Sequence, residues 1–303
     1  MKRNVLKAWH SLAYVLGWTR ASYVLMSGFV AVVALIIVVW WPLADEYLRS
    51  FNPAFPWWLQ FDWLLLGDFV VMSLLIMARP GLKHDALIVA VGLAGCLVIE
   101  SWGTNTNIWW YYTAERPPLW IIPAWPIASL SIDRLVRFLR GVTARLPDRP
   151  LRVLYWLALP GFLLLMLAYV WPTLDSPFTL SALALCLFLV FRPVDERVSI
   201  ITFAAGAGLG YFLELWGTTR LCWTYYSLET PPVFAVFAHG MAALAFWRSA
   251  LLVKQVAVHV MSSRASVGDL HDRGVARGSS AGDGVTDVTV TCPGGGQQGQ
   301  AGA

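Results

Sequence analysis

The sequence predicts an all-α membrane protein: a polytopic bundle of about eight transmembrane helices, arranged as a parallel internal duplication of four plus four. Three observations predict it. Of 303 residues, 58% are apolar and 13% charged, against a usual charged share of ~25%, too few charges to coat a water-soluble surface. The apolar residues come in unbroken runs of membrane-crossing length, not in amphipathic stripes. Finally, "ESWGTNTNIWWYYTAERPP" (100–118) returns 114 positions later as "ELWGTTRLCWTYYSLETPP" (214–232), with ten identities in nineteen positions.

The basic N-terminus (1–21) precedes the first apolar run. That run is longer than a signal-peptide core and no small-x-small cleavage site follows it, so it is expected to remain as a membrane helix. The predicted spans are 22–43, 61–78, 85–103, 118–138, 151–171, 177–192, 197–215 and 230–252. The sixth is short and calls for little tilt or local thinning of the bilayer. Spans one to four form repeat 1 (22–140), a basic linker follows (141–150), and spans five to eight form repeat 2 (151–254). An even number of spans per repeat sets both copies the same way up. "WPLAD" (41–45) against "WPTLD" (171–175) echoes the duplication, and the aromatic insert "FNPAFPWWLQFDW" (51–63) suits a membrane interface. From 255 to 303 the chain is rich in Gly, Ser and Ala and is expected to be a disordered tail.

Lys and Arg concentrate in alternate loops: Arg79 and Lys83, then Arg140, Arg145, Arg149 and Arg152, then Arg192 and Arg197. The intervening loops hold Arg49, Arg116 and Arg220. The bias predicts an inner (cytoplasmic) membrane location with both termini cytoplasmic and both repeated motifs on the far side. A net charge of +4 calls for no nucleic-acid partner. Cys96, Cys186, Cys222 and Cys292 have no metal-site or disulfide-framework spacing. No nucleotide-binding or hydrolase motif occurs with a strand context, so no cofactor or metal is expected.

The candidate catalytic residues are ionisable groups within or ending apolar runs. Glu100 ends "ALIVAVGLAGCLVIE" and Glu214 ends "SIITFAAGAGLGYFLE". Carboxyls there face a bundle interior or a wet cavity, because lipid exposure costs several kcal/mol. Asp68 and His239 lie deeper in their spans. His239 matches Trp125 of the first copy, which implies one asymmetric site rather than two equivalent ones. Thr104 and Thr218, four residues beyond each acid, are candidate substrate-binding residues, or else structural hydroxyl partners of the acids. Trp102, Trp109, Tyr112, Trp125, Trp216, Trp223 and Tyr226 are the candidate aromatic wall of a substrate pocket, or else an interfacial belt. Gly92, Gly95, Gly206, Gly208 and Gly210 are expected to let helices approach closely.

The stretch "VIESWGTNTNIWWYYT…LWIIPAWP" (98–126) resembles the signature of integral-membrane carotenoid-biosynthesis proteins of the bisanhydrobacterioruberin hydratase-like family. The resemblance rests on Glu100, Gly103, Asn105, Thr106, Tyr111, Tyr112, Thr113, Pro123 and Trp125, about a tenth of the chain. "NIWW" replaces the family's Gly-Phe-Pro-Phe-Gly-like run. The resemblance implies an isoprenoid substrate and protonation of an alkene, followed by hydration or cyclisation. That chemistry needs a protonated acid, aromatic faces and a dry pocket. Glu100 would be the acid, Glu214 or Asp68 the base, and His239 would tune the proton supply. Two other readings stay open: a proton- or cation-coupled transporter or lipid-handling protein, and a non-catalytic membrane subunit docking a partner. The oligomeric state is not encoded in any pattern visible in the chain.

Overall fold

The computed structural model describes residues 13–14 and 17–279, without the side chains of Leu43, Met261 and 263–279. The basic segment before residue 13 and the end of the tail lie outside the described residues. Within them the fold is helical: α1 (Arg20–Val39), α2 (Trp41–Arg49), α3 (Trp63–Met77), α4 (Leu82–Asn105), α5 (Ala124–Val142), α6 (Asp148–Val170), α7 (Pro177–Phe191), α8 (Glu196–Thr219) and α9 (Val233–Ser279). Two three-residue strands, β1 (Trp109–Tyr111) and β2 (Trp223–Tyr225), form one small sheet.

Each predicted span falls on a helix. Five of these helices, α1, α4, α6, α8 and α9, are long and apolar enough to cross a membrane; α3 and α7 are shorter apolar helices. This is compatible with a multi-pass membrane protein. Residues 118–123 do not join the fourth span, because they form turns and α5 starts at Ala124. The first span stops at Val39, and Pro42 then opens the separate helix α2, consistent with proline's preference for a helix's first turn. The last helix continues to Ser279, into the stretch the composition assigned to a disordered tail.

Local chemistry sets several starts. Asp62 caps α3 by accepting from the Leu65 N–H at 3.2 Å, and Asp195 caps α8 by accepting from the Val198 N–H at 2.9 Å. Such caps satisfy backbone donors that the helix itself cannot. Around these helices the largest core gathers Tyr155, Leu159, Phe162, Val190, Phe203 and Leu244 from α6 to α9. A smaller one joins Phe29, Ile76 and Leu130 of α1, α3 and α5.

Close approach is organised by glycine. A Cβ on Gly206 would lie 2.7 Å from the His239 carbonyl, and one on Gly240 would lie 2.5 Å from the Phe203 carbonyl, so α8 and α9 meet backbone to backbone. Gly92 and Gly95 of α4 sit against Pro126 and Phe246. Gly208 differs from expectation: nothing lies within 4 Å of its Cβ position.

One end of the bundle carries the arginines. Arg134 and Asp85 form a buried ion pair at 2.7 Å. Asp133 also takes Arg134 at 2.7 Å, Arg137 at 2.8 Å and His84 at 3.1 Å. Arg248 donates to the Arg192 carbonyl at 2.7 Å. The opposite end carries the two strands.

Candidate functional site

The two acids are placed by a repeated backbone manoeuvre. Glu100 and Glu214 stand five residues before the ends of α4 and α8. Each helix is followed by a residue in the left-handed region, Asn107 (φ 55°) and Leu221 (φ 56°). The next N–H reaches back to a glycine carbonyl: Ile108 to Gly103 at 3.0 Å, and Cys222 to Gly217 at 2.9 Å. This is the Schellman closure of a helix C-terminus. It folds each strand back over its own helix end.

The glycines of the two W-G-T motifs then make room for tryptophan. A Cβ on Gly103 would lie 1.9 Å from the Trp109 ring, and one on Gly217 would lie 2.0 Å from the Trp223 ring. The strands pair antiparallel as Trp109↔Tyr225, Trp110↔Thr224 and Tyr111↔Trp223. Alternation along a strand turns Trp109, Tyr111, Trp223 and Tyr225 inward.

Each inward Trp–Tyr pair donates to the carboxylate of its own helix. Glu100 Oε2 accepts from the Trp109 indole at 3.2 Å and the Tyr111 hydroxyl at 2.8 Å, while Oε1 accepts from the Trp125 indole at 2.9 Å. Glu214 Oε2 accepts from Trp223 at 2.9 Å, and Oε1 from the Tyr225 hydroxyl at 2.9 Å, with His239 Nε2 3.0 Å from the same oxygen. Burial, and next the neighbouring glutamate, push the Tyr111 and Tyr225 phenols well above their usual range, so both stay protonated donors. The two acids thus share a design and differ in one partner. Glu100 holds a second indole where Glu214 holds an imidazole. Trp125 and His239 stack on one another, with ring centroids 5.4 Å apart at 16°.

Both glutamates are buried, each 3% exposed, and both line one cavity of about 370 Å³. Trp102, Trp109, Trp125, Trp216, Trp223 and His239 stand with them in its wall. The mouth is lateral. Val98 of α4 and Phe178 and Leu185 of α7 line the cavity, yet are 69%, 64% and 51% exposed on the outside of the bundle. Above this gap α4 and α7 are bridged by the Trp102 indole, which donates to Thr179 Oγ1 at 3.0 Å. The corresponding seam between α3 and α8 carries a charged tie. Asp62 accepts from the Trp216 indole at 2.8 Å and from Arg220 Nε at 2.9 Å.

Several expected residues stand elsewhere. Asp68 does not line the cavity; it lies buried on α3 with Oδ2 unpaired. Thr104 and Thr218 do not reach the carboxylates. Each hydroxyl donates to the backbone carbonyl of its glutamate at 2.6 Å, the local bond open to a Thr one helical turn on. Tyr112 and Tyr226 also stay out of the cavity. They follow the strands' last inward residues and are exposed, and Tyr226 donates to the Tyr169 carbonyl. Their neighbours Tyr111 and Tyr225 are the tyrosines of the site. The signal that could have found them is the two-residue alternation shared by "WWYY" and "WTYY", which puts the first Trp and first Tyr on one face. Among the described residues, no three His, Cys, Asp or Glu side chains gather as a metal site.

Comparison of the chain with family models, with curated proteins and with solved structures finds no match.

Proposed function

We propose that the protein is an intramembrane enzyme that protonates a carbon–carbon double bond of an isoprenoid-like lipid, leading to hydration or cyclisation. One observation carries this reading. Two buried carboxylates and a histidine face a single apolar, aromatic-walled cavity whose mouth opens sideways among lipid-facing residues. A water-soluble substrate needs no such mouth, whereas a chain dissolved in the bilayer does. The motif resemblance to carotenoid-biosynthesis proteins points the same way.

The hydrogen bonds suggest a division of labour that reverses the expected one. All three partners of Glu100 are placed to donate, and the two indoles cannot do otherwise, which suits this carboxyl to be the group that accepts a proton in the reaction. At Glu214 a proton can be shared with His239 across 3.0 Å, which makes that pair the acid. Transfer of its proton to the alkene forms a C–H bond and leaves a tertiary carbocation. The Glu100 carboxylate and the indole faces stabilise the positive charge. Water then adds to the cation and passes a proton to Glu100, giving an alcohol. Alternatively an internal alkene attacks and a C–H proton leaves to Glu100, giving a ring.

We also propose that the eight predicted spans all cross, as two parallel four-helix repeats, with the arginine-rich end cytoplasmic. Supporting the duplication, the left-handed residues Asn107 and Leu221, and Ala114 and Leu228, recur 114 positions apart.

The test is expression in a host that accumulates an acyclic polyene such as lycopene, with lipid extracts analysed by mass. The wild-type chain should shift the polyene by the mass of water or to a cyclic isomer, and Glu214→Gln and His239→Gln should lower product by two orders of magnitude or more. Unchanged lipid across several polyenes removes the enzyme reading. Full product in Glu214→Gln removes the proton-donor assignment. Paired carboxylates amid aromatic faces also suit a cation, so a transporter is the second reading; it predicts proton or amine flux in proteoliposomes that Glu100→Gln abolishes.

A further inference from the structure

The Trp125–His239 stack is a partition. On its far side lies a second, narrower cavity of about 80 Å³, whose lining includes Trp125, His239, Ser129, Thr202, His84 and Asp133. His239 therefore borders both spaces, with Nε2 committed to Glu214. The narrow cavity runs to the arginine-rich end, where the His84 side chain is 40% exposed. Its size admits a few water molecules, since one needs roughly 10–15 Å³ of such volume. Buried polar atoms along this side lack protein partners: Thr202 Oγ1 in the cavity wall, and Asp85 Oδ1 and Arg134 Nε in the ion cluster beside it. Unpaired buried polar groups of this kind are the usual sites of internal water.

We propose that this cavity is a hydrated proton inlet: protons pass from the aqueous phase at the arginine-rich end, through His84–Asp133 and water held by Thr202, to Nδ1 of His239, and so recharge the Glu214–His239 pair. The proposal rests on His239 as the proton-bearing group in the reading above. An imidazole can take a proton on one nitrogen and release another from the second, so His239 can pass protons between the two spaces while the indole stacked on it limits the passage of bulk water into the apolar cavity. The ionisable groups around this route are Glu214 on α8 and Tyr225 on β2 at Nε2, and Glu100 on α4 beyond Trp125. At the far end stand His84 and Asp85 on α4 and Asp133, Arg134 and Arg137 on α5. On α9 His239 stands on the route itself, and Arg248 bonds the Arg192 carbonyl at the arginine-rich end.

The experiment reads protonation, not turnover. An imidazolium stacked on an indole quenches its fluorescence, so Trp125 reports on His239, with Trp125→Phe and His239→Gln defining the background. The full chain is reconstituted in one orientation in liposomes buffered inside, and external pH is stepped from 8 to 5.5 with either end outward. Quenching should be fast when the arginine-rich end faces the step, and Thr202→Val and His84→Ala should slow it on the order of tenfold. A response only to a step at the strand-bearing end, or unaltered rates in both variants, overturns the inlet. If a variant fails to fold, the wild-type pair of orientations decides alone. Failure of the polyene assay with a one-sided quench would discard the substrate and keep the inlet.

Discussion

Gly103 and Gly217 show how much of the site is set by single atoms. With no Cβ, each lets a tryptophan ring lie flat on its helix end, and that ring places an indole N–H on the glutamate behind it. Gly103→Ala must push Trp109 off its seat. The expected cost is about 1–3 kcal/mol from overpacking, plus about 0.5–1.5 kcal/mol for the lost hydrogen bond. Thermal melting in detergent should register a lower transition, and near-ultraviolet circular dichroism a changed tryptophan band. A wild-type melting curve and spectrum in Gly103→Ala would refute this packing. The repeated W-G-T motif is legible in the sequence. That its glycine is a seat for a tryptophan six residues later is not, because the seat exists only after the Schellman turn has folded the strand back.

At the scale of elements, the two copies of that turn are not equally comfortable. Asn107 tolerates the left-handed region, whereas Leu221 (φ 56°) carries a side-chain penalty of about 1–2 kcal/mol. Leu221 is 64% exposed, so Leu221→Gly removes strain without emptying a core. It should raise stability by about 1 kcal/mol; a lower melting temperature would count against the turn. The seam between α3 and α8 is held by Asp62. Burial pushes its carboxyl up, but bonds from Arg220, the Leu65 N–H and Trp216 outweigh this and keep it below its usual value. A carboxyl lowered on folding stabilises above its unfolded pKa of about 3.9, and the benefit is lost as pH falls through the folded value. Asp62→Asn should therefore weaken the fold at pH 7 and flatten its response to acid as pH falls below about 4. An unaltered acid response in the variant would show the tie is not a stabilising one.

Across the whole molecule, the two E-x-W-G-T segments bring their acids to one cavity, and the seams on its two sides close differently. The α3–α8 side is latched by a charged tie, while the α4–α7 side has a neutral bridge with an apolar gap beneath. In the proposed function this asymmetry would give a lipid one way in, and the Trp125–His239 difference would give the site one proton-bearing face. The proposed topology is open to a direct test. Single-cysteine reporters at Arg145 and Arg220, in a background lacking native cysteines, should react with a membrane-impermeant maleimide from opposite sides of inverted vesicles. Labelling of both from the same side would overturn the arrangement.

The sequence by itself determined the helical, membrane-compatible class, the approximate place of the apolar helices, and the recurrence of the E-x-W-G-T segment with its acid and tryptophans. These follow from composition, run length and self-similarity, all of which are local or periodic along the chain. Only the tertiary structure decided that Tyr111 and Tyr225 face inward while Tyr112 and Tyr226 do not, that Asp68 stands apart, and that Trp125 stacks on His239. Those outcomes depend on strand register and on which helices meet. Register is set by pairing between segments more than a hundred residues apart, and backbone contact by glycines opposed across helices. The alternation within each strand marks its two faces and the glycines mark possible close approaches, but which face turns inward and which helices meet is settled only by pairing between distant segments.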